Sequence, residues 1–178
     1  MTARIPPGDL ASLGPIRWGL SRAAGKVTGT QPPAIFTTLG RTKGLFTGWL
    51  HFAARLMPFG SLARRESEMV ILTVATERQC EYEREHHRLL GSRAGLTGTE
   101  IEGILADEVV GSLSPRERVL RESAQVLVRT KDLDDEQWAA LRRMTTKREA
   151  IELLLLVGHY DMLATTLTTL RMEPDQRR

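Results

Sequence analysis

Four times in the second half of this chain a Ser, Thr or Asp stands three residues ahead of a Glu or Gln, each time at the head of a helical stretch: Thr97 and Glu100, Ser114 and Glu117, Asp134 and Gln137, Thr146 and Glu149. In such a capping box the two side chains satisfy backbone N–H groups that the first helical turn leaves without partners. Pro115 follows Ser114 at the first helical position, where its missing N–H costs nothing. Gly95 stands where a helix from about residue 80 to 94 needs a left-handed residue to stop. Between these markers the apolar residues recur with helical period, as in Val119, Leu120, Ala124, Leu127 and Val128. The spacing predicts helices at about 34–41, 44–57, 62–78, 80–94, 98–106, 115–130, 135–144 and 147–171. No strand-like alternation occurs, so the fold class is all-α, with about seven to eight helices. Aromatic residues are only 5% of the chain. The core must therefore rest on Leu, Val, Ile, Ala and Met, a palette that suits helices better than a β-sandwich.

The organisation follows from the same markers. Residues 1–33 contain Pro6, Pro7, Pro15, Pro32 and Pro33 and read as an extended N-terminal arm with at most a short helix near Trp18. Residues 34–173 form the helical domain, and 174–178 a C-terminal tail. The last helix is apolar nearly all round, so it is expected to be buried, centrally or in a subunit interface. A homo-oligomer is the expected assembly.

Charge narrows the partners. The net charge is +3, from 25 basic and 22 acidic residues. The basic residues are spread along the chain, and the pairs Arg64-Arg65, Arg142-Arg143 and Arg177-Arg178 are too short to make a nucleic-acid surface. The N-terminus lacks the pattern of a signal peptide. The longest apolar run, Leu153 to Val157, is too short to span a bilayer. A single cysteine, Cys80, excludes an intramolecular disulfide and a Cys-rich zinc site. The expectations are a cytoplasmic protein, a small-molecule substrate, and neither nucleic acid nor membrane as partner.

Chemistry concentrates between Glu68 and His87, in EMVILTVATERQCEYEREHH. Glu68 opens an apolar helical segment. Glu83 and His87 are four apart, so on one helix they share a face and can hydrogen-bond. A carboxylate beside an imidazole fixes the ring tautomer and lets the ring move a proton near neutral pH. Glu68, from the preceding helix, could raise the pKa of a neighbouring acid by like-charge repulsion, and the short connection between the two helices is expected to bring Glu68 and His87 together within hydrogen-bonding or one-water distance. Cys80 flanks the same face near a helix start, where the dipole would lower a thiol pKa. Its plainer reading is a small buried hydrophobe. His86 points about 100° away from His87 and reads as solvated. His159, on the apolar last helix, reads as a core or interface histidine. A metal held by Glu68, Glu83, His87 and His159 is the minor alternative; neither metal nor cofactor is expected.

These residues resemble a known pattern: a Glu in an apolar helix, a helix opening with Tyr-Glu or a Cys pair, a His, then a Gly-Leu-Thr break. Here the parts are Glu68 in SEMVILTVA, Tyr82-Glu83, His87 and Gly95-Leu96-Thr97. With LSPRERVLRESAQVL and EAIELLLLVGHYDMLATTL, the chain from about Ala34 to Glu173 is similar to the carboxymuconolactone decarboxylase and alkylhydroperoxidase D (AhpD-like) family. The resemblance implies an AhpD-like helical fold, trimers or their multiples, and catalytic residues at Glu68, Glu83 and His87, with Cys80 and Tyr82 as accessories. In the peroxidase branch it puts Cys80 at the first position of a Cys-x-x-Cys pair and Glu83 at the second, so no vicinal disulfide can form. The decarboxylase branch fits better, with a Glu and a His at the spacing of Glu83 and His87. Three functions stay open: a decarboxylase-like enzyme moving protons on a small oxidised organic substrate, a single-cysteine thiol peroxidase, and a non-catalytic binding protein.

Overall fold

A computed structural model describes residues 2–28, 31–108 and 110–175. Among these the chain forms nine α-helices and no strand. They are α1 (Leu10–Thr28), α2 (Ala34–Leu39), α3 (Gly44–Leu56), α4 (Arg64–Glu77), α5 (Glu81–Arg93), α6 (Gly98–Leu105), α7 (Pro115–Thr130), α8 (Asp135–Met144) and α9 (Lys147–Thr169), with a 3₁₀ turn at Gly40–Thr42 after α2. The four capping boxes form as the spacing predicts. Thr97, Ser114, Asp134 and Thr146 each accept the N–H of their acidic or amide partner at the third helical position. Gly95 takes φ 98°, the left-handed value that ends α5 without a Cβ penalty.

The largest difference from the sequence reading is at the N-terminus. The arm is not extended: α1 runs for 19 residues. Pro15 reads as a breaker, but Gly14 absorbs the break by adopting φ 75° and ψ 167°. Pro15 then opens a second helical segment from a position that needs no N–H. Leu13 anchors this element in the interior at 1% exposure, and the Arg4 and Gly8 N–H groups bond the Leu170 and Thr37 carbonyls. Of the tail at 174–178, only residues 174 and 175 fall within the described part, and the Arg177-Arg178 pair lies outside it.

The centre of the domain is α4. Every residue from Glu66 to Ala75 is buried. Helices α5, α6, α7 and α9 all pack on it. Met69, Val70, Ile71, Leu72 and Val74 are completely inaccessible, and each such side chain contributes about 1.5–3 kcal/mol of apolar burial. The last helix instead shares its surface between core and exterior. Leu153, Leu156, Leu163 and Leu167 point inward, while Ile151, Leu154, Leu155 and Met162 are exposed. By length and composition alone α9 could cross a membrane, and half of its most apolar stretch is packed inside the domain.

Helices α4 and α5 make an αα-hairpin joined by Arg78, Gln79 and Cys80. Gln79 turns the chain with φ 50°. Gly91 lets the two helices approach: a Cβ there would sit 3.0 Å from Leu96 Cδ1 and 3.3 Å from Leu72 Cδ1. This close hairpin brings the polar residues of the two helices together.

Candidate active site

Glu68 and His87, 19 residues apart, meet across the α4–α5 hairpin. His87 Nδ1 lies 2.6 Å from Glu68 Oε2, with both side chains buried. The other carboxylate oxygen, Oε1, lies 2.7 Å from the Arg64 guanidinium, one turn earlier on α4. That contact is one of charge rather than an aligned hydrogen bond. Glu68 therefore occupies the position that orients the ring. A carboxylate that accepts the Nδ1 proton leaves Nε2 as the basic nitrogen.

The convergence of Glu68 and His87 across adjacent helices is as expected from the sequence, but the sequence reading gives the role of orienting the ring to Glu83, and here the structure differs. Glu83 is on α5 four residues before His87, yet neither of its oxygens makes a well-formed hydrogen bond. Its exposure is 2%. Burial pushes its carboxyl up, well above the usual 4.5, and the Cys80 thiol against it only weakly opposes the shift. A carboxyl in that state favours the protonated form, which can donate a proton or a hydrogen bond. Helical periodicity places residues on a common face but does not decide which neighbour the imidazole chooses. The crossing helix supplies the shorter contact.

Cys80 follows the plainer expectation of a small buried residue and not the helix-start one. It is the residue preceding α5, so the dipole acts on it, but it is 2% exposed. Burial first, and then the Glu83 charge, push its thiol up. Desolvation outweighs the dipole, and the thiolate is disfavoured.

His86 is not solvated. It stacks on Tyr82 at 4.5 Å, and its Nε2 lies 3.1 Å from Asp175 Oδ2. The Tyr82 hydroxyl donates to the same Asp175 carboxylate at 2.7 Å and accepts from the Ile35 N–H. Burial first, then Asp175, raise the phenol well above 10. The remaining oxygen of Asp175 accepts from Ala34 N–H at the start of α2. Asp175 thus ties the C-terminal segment to two residues beside the site.

His87 and Glu83 form part of the wall of a cavity of about 700 Å³ between α2, α3, α5 and α9. Arg64, Tyr82, His86, His159 and Tyr160 also line it. The rest of the wall is mainly apolar and aromatic, including Phe36, Trp49, Leu50, Met57 and Leu163. Tyr160 packs its ring edge-to-face with His87 at 5.3 Å. Burial first, then Glu68 and Glu83, keep its phenol protonated. His159 lies against Trp49 at 6.1 Å, nearly parallel, and burial lowers its pKa to about 4. Among the described residues no group of three or more His, Cys, Asp or Glu is placed to hold a metal ion.

Arg64, Tyr160 and Asp175 were absent from the sequence-derived set. The YD pair at 160–161 and the arginine before Glu68 carry no local sign of a cavity. The contacts that recruit Tyr160 and Asp175 span tens of residues; Arg64 alone had a local signal, its i, i+4 spacing to Glu68.

The architecture is that of the AhpD-like proteins. A peroxidase-related protein with an alkylhydroperoxidase AhpD core from Ralstonia eutropha JMP134 superposes with a TM-score of 0.86 at 19% identity, over 97% of this chain and 92% of that one. A peroxidase-related protein from Silicibacter sp. TM1040 gives 0.84 at 15% identity, over 98% and 94%. The debrominase Bmp8 in complex with 2,3,4-tribromopyrrole gives 0.82 at 14%, over 100% and 93%. No curated protein matches significantly in sequence. Residues 43–125, which include α4, α5, Glu68, Glu83 and His87, match the carboxymuconolactone decarboxylase family. That segment resembles the carboxymuconolactone decarboxylase family, and it sits in an AhpD-like fold.

Proposed function

We propose that this protein is a decarboxylase-like family enzyme that moves protons on a small oxidised organic substrate, with Glu68 and His87 as the working pair. The observation that carries the reading is the 2.6 Å contact between His87 Nδ1 and a buried Glu68, at the wall of the cavity of about 700 Å³. His87 Nε2 takes a proton from carbon next to a carbonyl, and the electron pair moves onto the carbonyl oxygen. Glu83 and Tyr160, both favoured in their protonated forms by burial, supply donors for that oxygen. Reprotonation at carbon returns the proton from His87. Glu68 acts on the ring, holding its tautomer and favouring the imidazolium as it forms.

The thiol peroxidase reading needs an accessible thiolate, and the burial of Cys80 weighs against it. Among the family neighbours, a debrominase with a bound bromopyrrole supports a small organic substrate for this fold.

Assays of His87→Gln, Glu68→Gln and Cys80→Ser on ketones, lactone acids and organic hydroperoxides separate the readings. The first two substitutions are expected to lower turnover about 10²-fold, the usual contribution of a positioned acid or base. Cys80→Ser is expected to leave it nearly unchanged. Loss of activity in Cys80→Ser beside an active His87→Gln would move the chemistry to the thiol.

A further inference from the structure

The cavity has an unusual charge balance for a site that would receive an organic acid. Among the described residues that line it, Arg64 is the only permanently charged cation, and Glu68 already neutralises it at 2.7 Å. His86 faces Asp175 at 3.1 Å. His159 sits in the wall among Trp49, Phe52 and Tyr160. Its burial holds it uncharged down to about pH 4, so it offers no imidazolium to an anion. The remaining acids add no positive charge: Glu68 behind the wall is already matched to Arg64, and Glu83 in the wall is favoured neutral by burial. A carboxylate entering here would lose its water without gaining an unpaired cation, which disfavours its burial.

A cation fares no better. The Glu68 carboxylate is already paired with Arg64 and offers an incoming cation no net attraction. Glu83 makes no well-formed hydrogen bond and resists ionisation because it is buried, so the one acid in the wall is a poor counter-ion. The aromatic groups would attract an ammonium, but too weakly to replace its lost hydration.

A neutral ring avoids both costs. Phe36 and Trp49 meet edge-on at 5.9 Å and 71°, and the His159 ring lies nearly parallel to the indole on its other contact. With Leu50, Met57 and Leu163 they make an apolar chamber. The polar groups His87, Glu83 and Tyr160 gather at one part of its wall. The volume suits a compact organic molecule of one to three rings.

From this juxtaposition of a self-neutralised Arg64–Glu68 pair with an aromatic chamber, we infer that the substrate is an uncharged cyclic carbonyl compound, a ketone or lactone with an apolar ring body, and not a carboxylic acid. The inference rests on the proton-transfer reading of the same site. It also narrows that reading: the reaction is proton transfer next to a neutral carbonyl rather than loss of CO2 from an ionised acid. Glu68 then has a second role as a specificity residue, because it cancels the one cation that could hold a carboxylate.

The test uses three probes with similar bicyclic bodies: β-tetralone, β-naphthoate and β-aminotetralinium. Binding to the full-length protein at pH 7 is measured by calorimetry, and deuterium uptake at the α-carbon of β-tetralone is followed separately by NMR. The ketone is expected to bind at least about tenfold tighter than either ion. Trp49→Ala should weaken ketone binding roughly three- to tenfold through loss of ring packing. Glu68→Gln frees Arg64 and should shift the preference toward β-naphthoate by about tenfold. Tighter binding of either ion by the wild type overturns the inference, as does failure of the ketone to bind. A Glu68→Gln variant that gains nothing for the carboxylate overturns the specificity role. If the ketone binds selectively but takes up no deuterium beyond the spontaneous rate, the substrate class stands and the proton-transfer chemistry falls.

Discussion

Two groups of carboxylates, most of them buried, gather around the first turns of α4, one on Arg65 and Glu66 and the other on Glu68, and their fates are opposite. In the first, Arg65 holds Glu100 with a 2.7 Å contact and Glu117 with another, and also donates to the Gly95 carbonyl. Arg116 likewise spans Glu66 and Glu149. The Arg65 guanidinium first, with the Thr97 N–H, holds Glu100 down to about 2. Burial pushes Glu117 up, but the Ser114 N–H and Arg65 more than offset it, and its pKa falls. In the second group, at the cavity, Glu68 is bound to an imidazole and Glu83 has no aligned partner. Acids that tie helices together are fully paired, and the acid at the site is left short of partners and shifted toward neutrality. The same residue type becomes a clamp or a reagent according to what faces it.

The largest effect that probes this contrast is loss of a clamp. Arg65→Ala leaves Glu100 and Glu117 buried without their cation, and Glu100 is only 3% exposed. We expect about 2–4 kcal/mol of destabilisation, read from urea midpoints, with turnover per folded molecule unchanged. A drop in turnover at full folding would mean that the two groups are not separate.

The reagent acid should behave in the opposite sense. The folded-state pKa of Glu83 is raised above its ordinary value of 4.5. Its contribution to stability is therefore fully present below about pH 4.5 and is lost as pH rises through the shifted folded value. Glu83→Gln keeps the shape without the charge. The variant should gain stability relative to the wild type as pH rises above 4.5, by about 1–3 kcal/mol at alkaline pH. A constant difference from pH 4 to 9 would show that Glu83 titrates as an ordinary carboxyl.

The same contrast explains what could be read in the sequence. The capping boxes were legible because each is closed within four residues, and they fixed the starts of α6, α7, α8 and α9. The Glu68-to-His87 stretch was legible as a site because acids and a histidine interrupt an otherwise apolar pattern. The convergence of Glu68 and His87 was legible too, from the short connection between their helices, but not which acid orients the ring. Periodicity ties Glu83 to His87 on one helix, whereas the bond to Glu68 depends on how closely α5 approaches α4 at Gly91. The helix α1 was hidden because Gly14 and Pro15 together resemble a loop, and only the structure shows the chain resuming its helix after one residue. Tyr160 and Asp175 reach the site from the far end of the chain, through contacts no local pattern encodes.

The central claim is that Glu68 sets His87 to work through Nε2, and the protonation of that ring tests it most directly. Long-range ¹H–¹⁵N NMR of the neutral imidazole reports which nitrogen carries the hydrogen. The wild type is expected to show Nδ1–H with a bare Nε2, and Glu68→Gln a mixture of tautomers. A wild-type ring with the hydrogen on Nε2, unchanged by Glu68→Gln, would contradict it.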